Sequence, residues 1–314
     1  MSLKNILVYL THPHVEAWNF KSIHRVMLEN LVPGLSVEVC QNFKEFRERL
    51  PDAEAVIVWF FKDEWVAPNL KLLATPSAGR DWVELNSGKN ARVSFGSFHG
   101  SLIAESVIGA MLYFLKAFPL SVNMQSQKKW ARVKISRKLE SLYKNRITIL
   151  GFGNIGNVIA ERLKPFGCII TGIRRSAITK PKYFSDSDQV LAFEKWEMVF
   201  KETDHLICAL PGGEHTDNIL KLEHFKALPR NCYFYNVGRG NIYKEDELIS
   251  VLRKEEIAGA YLDVFKEEPL SENSKLWEMK NILIQPHLSS ASPQYLKLFV
   301  EELAGRINSG KWFK

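Results

Sequence analysis

A short β-branched run leads directly into a glycine-rich turn at residues 147–156, where the sequence reads ITILGFGNIG. The run predicts a buried strand, and the residues after the turn have the spacing of a helix. In a GxGxxG turn of this kind Gly151 permits the tight turn, Gly153 lets the backbone approach a pyrophosphate, and Gly156 lets the helix pack closely. The N–H groups at the start of the helix can bind the anion. The pattern predicts a dinucleotide site formed by Gly151, Gly153, Asn154, Ile155 and Gly156.

The next predicted strand, Cys168–Ile173, runs into three polar residues, Arg174, Arg175 and Ser176. At about 20 residues after the glycine turn, NAD-binding sheets carry an acidic residue for the adenosine ribose. Guanidinium groups favour the 2′-phosphate of NADP(H) instead, because they bind phosphate through charge-assisted, often bidentate hydrogen bonds. We expect NADP(H) to be preferred over NAD(H). The alternative interpretation is a solvated basic strand end.

Short β-rich runs alternate with helical segments along the whole chain, which is typical of α/β folds with parallel sheets. Five strands are predicted in the first hundred residues: Asn5–Leu10, Val37–Cys40, Ala55–Phe60, Leu70–Thr75 and Ala91–Phe95. Six more are predicted beyond residue 145: Arg146–Leu150, Cys168–Ile173, His205–Leu210, Cys232–Val237, Ala258–Leu262 and Ile282–Gln285. We expect two doubly wound parallel sheets, the second of the dinucleotide-binding type.

Length and composition indicate a folded protein of about two domains, with 314 residues, 46% hydrophobic and 25% charged residues and a net charge of +7. No apolar stretch reaches the roughly 20 residues of a membrane-spanning helix, and the N-terminal apolar run is too short for a secretory signal. The cysteines lack metal-ligand spacing and fall in or beside apolar runs: Cys40, Cys168, Cys208 and Cys232. We therefore expect buried thiols, a cytoplasmic setting, and neither a metal nor a membrane partner.

Three polar segments follow predicted strands in the second half of the chain: Asn236–Gly240, Asp263–Leu270 and Gln285–His287. Because ligands bind at the carboxyl ends of parallel strands, an arginine, a glutamate and a histidine should converge there beside the cofactor. Each of the three residues also has a simpler interpretation when taken singly. Arg239 could cap a loop, Glu268 could be a solvated charge, and His287 could be an ordinary loop histidine.

Together these segments make the chain resemble the D-isomer-specific 2-hydroxyacid dehydrogenase family over nearly its whole length. Two further segments agree: Ser77–Asp81 resembles the family's loop for the substrate carboxylate, and Ala104–Ser106 the start of its interdomain helix. The resemblance implies a Rossmann coenzyme domain at residues 101–288, inserted in a flavodoxin-like substrate domain at residues 1–100 and 289–314.

The resemblance also implies roles for individual residues. Arg239 would hold the substrate carboxylate and carbonyl, His287 would donate and accept the proton, and Glu268 would be its partner. Backbone N–H groups of Ala78 and Gly79 would meet the carboxylate. The positions expected to contact the cofactor are Leu210, Pro211, Val237 and Asp263. The chain departs from many relatives after His287, where Leu288, Ser289 and Ser290 replace small glycine or alanine residues.

The paired arginines and Trp59 resemble the glyoxylate/hydroxypyruvate reductase branch, which implies a small, polar 2-oxo acid substrate and a homodimer. Trp59 would wall the substrate pocket, although a buried strand aromatic is an equal alternative, and His99 is a weaker candidate for the same cleft. Two other functions stay open: an NAD(P)H-sensing regulatory protein, and a dehydrogenase for another acid such as phosphoglycerate or a branched 2-oxo acid. The basic segment at residues 128–138 is read as a solvated face and not as a nucleic-acid surface.

Overall fold

A computed structural model of the chain describes residues 3–84, 91–176 and 179–311. The chain divides into two compact units. The first comprises Met1–His99 and Ala291–Lys314, and the second comprises Gly100–Ser290. Each unit has its own parallel sheet and its own buried apolar core.

The first unit contains a five-stranded parallel sheet in the order β2-β1-β3-β4-β5, as in flavodoxin-like folds. The strands are β1 (Asn5–Tyr9), β2 (Ser36–Val39), β3 (Ala55–Val58), β4 (Leu72–Thr75) and β5 (Arg92–Phe95). The helices are α1 (Ser22–Leu31), α2 (Phe43–Arg49) and, from the end of the chain, α9 (Tyr295–Asn308). The five predicted strands are confirmed, and β3 and β4 are buried at every position.

The second unit contains a seven-stranded parallel sheet in the order β12-β11-β10-β9-β6-β7-β8. The strands are β6 (Arg146–Leu150), β7 (Ile169–Arg174), β8 (Gln189–Ala192), β9 (His205–Cys208), β10 (Tyr233–Asn236), β11 (Gly259–Leu262) and β12 (Ile282–Ile284). This is the Rossmann order with one strand added at the β12 edge. The expected two-sheet α/β fold is confirmed.

The prediction of six strands in the second sheet was wrong, because it missed β8. This strand is four residues long, includes Gln189, and is only half-buried at every position. A short edge strand of that composition lacks the apolar run by which the other strands are recognised.

The helices of the second unit are α3 (Gly100–Leu115), α4 (Phe118–Ser126), α5 (Arg132–Ser136), α6 (Asn154–Leu163), α7 (Leu222–Ala227) and α8 (Glu245–Arg253). The apolar face of α3, with Ile103, Val107 and Met111, packs in one core with the β6 residues Ile147 and Ile149. Within the described ranges no single helix is long and apolar enough to cross a membrane, and only α3 and α4 together, across a 61° bend, reach that length.

Candidate active site

The glycine turn joins β6 to α6 with the close contacts that its glycines permit. Gly151 has a φ of 90°, and a Cβ on it would lie 2.6 Å from the carbonyl oxygen of Ala209. A Cβ on Gly156 would lie 2.3 Å from the carbonyl oxygen of Gly151, so no larger residue fits between helix and strand. A Cβ on Gly153, by contrast, would meet no described atom within 4 Å. The first turn of α6 is therefore open on the side from which a pyrophosphate would approach.

The predicted 2′-phosphate residues lie next to this turn at the end of β7. The N–H groups of Gly151 and Phe152 both donate to the carbonyl oxygen of Ile173, at 3.0 and 2.7 Å. This contact fixes Arg174, which directly follows Ile173, beside the glycine turn. Arg174 is half-buried, and Arg175 and Ser176 are exposed.

The ends of β9 and β10 form the next part of the same sheet edge. A Cβ on Gly238 would lie 2.4 Å from the carbonyl oxygen of Leu210, so these two loops are in direct contact. Leu210 is half-buried, Pro211 is exposed and Val237 is buried. These three of the four residues predicted to line the cofactor thus lie at the carboxyl ends of β9 and β10.

Arg239 lies in a turn that two hydrogen bonds of the buried Asn236 side chain stabilise. Asn236 Nδ2 donates to the carbonyl oxygen of Arg239 at 2.9 Å, and its Oδ1 accepts the N–H of Gly238 at 3.1 Å. The following Gly240 lies so close to Phe265 that a Cβ would be 1.9 Å from its carbonyl carbon. The turn therefore requires asparagine at position 236 and glycine at position 240.

Glu268 and His287 form a direct pair. Glu268 Oε2 lies 2.8 Å from His287 Nδ1, and Glu268 Oε1 accepts the N–H of Phe265 at 3.0 Å. Partial burial acts to raise the pKa of Glu268, but the hydrogen bond and charge of His287, the Phe265 N–H and the charge of Arg239 outweigh it and hold that pKa below its ordinary value. The carboxylate is thus ionised at neutral pH, and the histidine side chain is 40% exposed.

Asp263, at the end of β11, holds the segment that carries His287. Its backbone oxygen accepts the His287 N–H at 2.8 Å, and its Oδ1 accepts the N–H groups of Leu288 and Ser289 at 2.8 and 2.9 Å. Burial, partly opposed by these contacts and by the charge of His287, raises the pKa of Asp263 above its ordinary value. The structure therefore gives Asp263 a role toward the protein backbone in addition to the expected one toward the cofactor.

In the first unit, the Ser77–Asp81 loop follows β4 at the carboxyl edge of the sheet. Ser77 Oγ accepts the N–H of Gly79 at 3.1 Å, and the carbonyl oxygen of Ser77 accepts the N–H of Gly96. The N–H of Gly79, expected to bind a substrate carboxylate, is thus already paired within its own loop.

Trp59, at the end of β3 in the first unit, belongs to an aromatic cluster. Its ring centroid lies 5.7 Å from that of Trp18 and 6.1 Å from that of Tyr295. Among the residues described, the buried Nε1 atoms of Trp18 and Trp59 have no hydrogen-bond partner. His99 is 4% exposed, pairs through Nε2 with the Tyr295 hydroxyl at 3.0 Å, and has its pKa lowered to about 4 by burial.

Residues 108–289 match the NAD-binding domain of the D-isomer-specific 2-hydroxyacid dehydrogenases, which is more than half of the chain. The chain belongs to this family. A glyoxylate/hydroxypyruvate reductase of Arabidopsis thaliana is 28% identical over 229 residues, which cover 72% of this chain and 68% of the relative. A probable 2-ketogluconate reductase of Dictyostelium discoideum is 27% identical over 295 residues, 87% of this chain and 85% of the relative.

Among solved structures, a D-isomer-specific 2-hydroxyacid dehydrogenase from Xanthobacter autotrophicus, in complex with NADPH and MES, is similar with a TM-score of 0.78. It is 25% identical, and the match covers 98% of this chain and 96% of that one. The expectations of an enzyme and of an NAD(P)-dependent 2-hydroxyacid dehydrogenase are therefore confirmed.

The geometry of this dehydrogenase fits a nicotinamide dinucleotide, because the open face of Gly153 adjoins the first turn of α6 at the sheet edge. Of the predicted catalytic trio, Glu268 and His287 are in contact, and the charge of Arg239 acts on Glu268. Over residues 3–84, 91–176 and 179–311 no group of three or more His, Cys, Asp or Glu residues could hold a metal ion.

Sequence reasoning missed the residues that support the predicted positions within each unit. Asn236 was part of a quoted motif, but its two bonds to the Arg239 turn could not be read from spacing. Trp18 and Tyr295, which pack against Trp59, come from opposite ends of the chain and carried no local signal.

Proposed function

We propose that the chain reduces a small, polar 2-oxo acid of the glyoxylate or hydroxypyruvate type to the D-2-hydroxy acid, with NADPH as the hydride donor. The observation that carries the proposal is the 2.8 Å contact between Glu268 Oε2 and His287 Nδ1 at the sheet edge that also holds Arg239. Relatives named glyoxylate/hydroxypyruvate reductase support the substrate class. A protein that only senses the nucleotide has no need of this acid–base pair.

Reduction of a 2-oxo acid requires a hydride at the carbonyl carbon, a proton at the carbonyl oxygen and a cation to orient the carboxylate. The bound nicotinamide supplies the hydride. His287 is held through Nδ1 by Glu268, so Nε2 is the atom that gives its proton to the developing alkoxide. The Glu268 carboxylate stabilises the charged imidazole before the transfer. Arg239 holds the substrate carboxylate through its planar fork.

The preference for NADPH is assigned to Arg174, Arg175 and Ser176, next to the glycine turn. In the same proposal residues 101–288 form the coenzyme domain, with Leu210, Pro211, Val237 and Asp263 lining the cofactor. Residues 1–100 and 289–314 form the substrate domain, in which Trp59, Ala78 and Gly79 contact the acid; for Gly79 this requires its N–H to leave Ser77 Oγ, to which it donates in the structure.

We further assign a homodimer. Apolar side chains are exposed along residues 118–143, with Val122 62%, Trp130 88% and Val133 64% exposed, and such a surface suits a second copy of the chain. Sedimentation analysis of the purified protein should give a mass near twice 36.0 kDa, and a monomer at micromolar concentration would exclude the dimer.

We also assign a cytoplasmic location. The four cysteines are free and buried, which suits a reducing compartment.

The decisive experiment is a panel of 2-oxo acids with NADPH and NADH, followed by the nicotinamide absorbance. The panel contains glyoxylate, hydroxypyruvate, 2-ketogluconate, phosphohydroxypyruvate and a branched 2-oxo acid. We expect the highest kcat/KM with NADPH and glyoxylate or hydroxypyruvate. A higher kcat/KM with 2-ketogluconate would favour a second candidate function, the reduction of 2-ketogluconate, which the Dictyostelium discoideum relative supports. NADPH binding without turnover of any acid would favour the sensor function.

A further inference from the structure

His287 stands in a left-handed backbone conformation, with a φ of 55°. Residues with a side chain adopt this region infrequently, and they keep it only where their surroundings hold them. Three consecutive N–H groups at this position donate to Asp263: that of His287 to its backbone oxygen, and those of Leu288 and Ser289 to its Oδ1. These hydrogen bonds fix the N–H groups of the segment that carries the histidine.

A fourth hydrogen bond holds the same segment through a carbonyl group. The hydroxyl of Ser106, on α3, donates to the carbonyl oxygen of Ser289 at 2.8 Å. Ser289 is 5% exposed, and its N–H is paired with Asp263, so both backbone polar groups of this buried residue have partners. The bond from Ser106 joins residues 183 positions apart in the chain.

Helix α3 is a rigid support for this hydroxyl. Val107, the next residue after Ser106, is fully buried. It packs in one core with Ile149 of β6 and with Tyr261 of β11, the strand that ends directly before Asp263. The helix that carries Ser106 and the strand that leads to Asp263 are therefore packed in the same core, and the segment at residues 287–289 is hydrogen-bonded to both.

We propose that Ser106 is a positioning residue for His287. Its hydroxyl fixes the Ser289 carbonyl and so keeps the backbone at residues 287–289 in the conformation that places the imidazole beside Glu268. The proposal rests on the proposed function, because it takes His287 as the proton donor.

Loss of the hydroxyl should move the histidine for two physical reasons. The buried carbonyl of Ser289 loses this donor, so the segment gains by rearranging toward another partner. Relief of the left-handed conformation at His287 favours the same rearrangement. The movement would carry the ring away from its 2.8 Å contact with Glu268 Oε2.

Ser106→Ala tests the role of the hydroxyl without weakening the helix, because alanine has the higher helix propensity. We expect kcat for reduction to fall about three- to tenfold, since small displacements of a reacting group are costly. KM for the 2-oxo acid and the Kd of NADPH should stay close to wild type, because Arg239 and the glycine turn lie on other elements. Ser101→Ala, the matched change on the same helix, should leave all three constants at their wild-type values. A wild-type kcat in Ser106→Ala would overturn the proposal.

Ser106→Thr separates the hydroxyl from the rest of the side chain. Threonine keeps a hydroxyl donor at this half-buried position of α3 and adds one methyl group. We expect the kcat of Ser106→Thr to lie closer to that of wild type than to that of Ser106→Ala. A loss in Ser106→Thr as large as that in Ser106→Ala would show that the hydrogen bond to Ser289 is not the cause, and would contradict the proposal.

A readout without turnover separates this proposal from the proposed function. In protein labelled with 15N-histidine, the His287 signal is identified by its loss in His287→Gln. We expect Ser106→Ala to shift or broaden that signal, and Ser106→Thr and Ser101→Ala to leave it in place, whether or not any 2-oxo acid is reduced. An unchanged His287 signal in Ser106→Ala would overturn the positioning role, even if kcat had fallen.

Discussion

Glu268 Oε2 lies 2.8 Å from His287 Nδ1, while the other carboxylate oxygen of Glu268 accepts the backbone N–H of Phe265. The second contact fixes the carboxylate plane, so the histidine is oriented by a carboxylate that is itself held in place. In the proposed mechanism this pair delivers a proton from the opposite ring nitrogen of His287.

Glu268→Gln should change the pH dependence of reduction in one direction. The amide keeps the shape of the side chain but removes the negative charge that favours the charged histidine. The limb on which kcat/KM falls with rising pH should therefore shift toward acid. The exposed neighbour provides the control: Glu267→Gln should leave the profile where it is. An unshifted limb in Glu268→Gln would mean that Glu268 is not the partner of His287.

Replacement of Arg174 and Arg175 by alanine should reverse the cofactor preference. Each charge-assisted contact to a 2′-phosphate is worth about 1.5 to 3 kcal/mol, and NADH has no such group. The KM for NADPH should rise far more than the KM for NADH. The control is a double variant, Arg230→Ala with Lys254→Ala, which removes the same charge just before β10 and β11, away from the carboxyl ends of the strands. An equal effect on both cofactors would contradict the assignment to the 2′-phosphate.

Arg239→Lys should weaken the binding of the 2-oxo acid. Lysine keeps the charge but lacks the planar fork that holds a carboxylate through two hydrogen bonds. We expect KM for the acid to rise by about tenfold or more, at a cost comparable with one charged hydrogen bond, with the Kd of NADPH nearly unchanged. A KM equal to that of wild type would show that Arg239 does not hold the substrate.

Asp188 offers a test of stability away from the site. Its carboxylate is buried and lies 2.6 Å from Lys164 Nζ, and it accepts the N–H of Ile170 at 2.8 Å. Burial acts to raise the pKa of Asp188, but Lys164 and the hydrogen bonds from Ile170 and Ser185 hold it below its ordinary value. Asp188→Ala should lower the free energy of unfolding by about 3 to 5 kcal/mol at neutral pH, because it leaves the lysine unpaired.

The sign of the pH dependence follows from the lowered pKa. The stabilisation from Asp188 is present above the carboxylate pKa of the unfolded chain, near 3.9, and is lost as the pH falls through the lower pKa of the folded state. The difference in the free energy of unfolding between wild type and Asp188→Ala, measured by urea unfolding, should therefore become smaller as the pH falls. The exposed control, Asp186→Ala, should change stability by less than about 0.5 kcal/mol. A difference in the free energy of unfolding that grows as the pH falls would contradict the stabilising role of the ionised Asp188 carboxylate.

The sequence was most informative where local pattern and structure coincide. The run at residues 147–156 predicts strand, turn and helix together, since Gly151 and Gly156 make close contacts within a few residues or with a neighbouring strand. The strand β8 escaped detection because an edge strand with a glutamine has no apolar run. The hydrogen bond from the Ser289 backbone N–H to Asp263 could not be predicted either, because it joins residues 26 positions apart through a backbone group that nearly every residue carries.

The central claim is that His287 donates the proton for reduction of a small 2-oxo acid. Its most direct test is the rate of NADPH oxidation with hydroxypyruvate, measured for wild type and His287→Ala at equal NADPH saturation. We expect steady turnover by the wild type and a loss of about 10² to 10⁴ in kcat for His287→Ala, with the Kd of NADPH nearly unchanged. Turnover by His287→Ala within about twofold of wild type, less than any loss expected of a general acid, would contradict the claim.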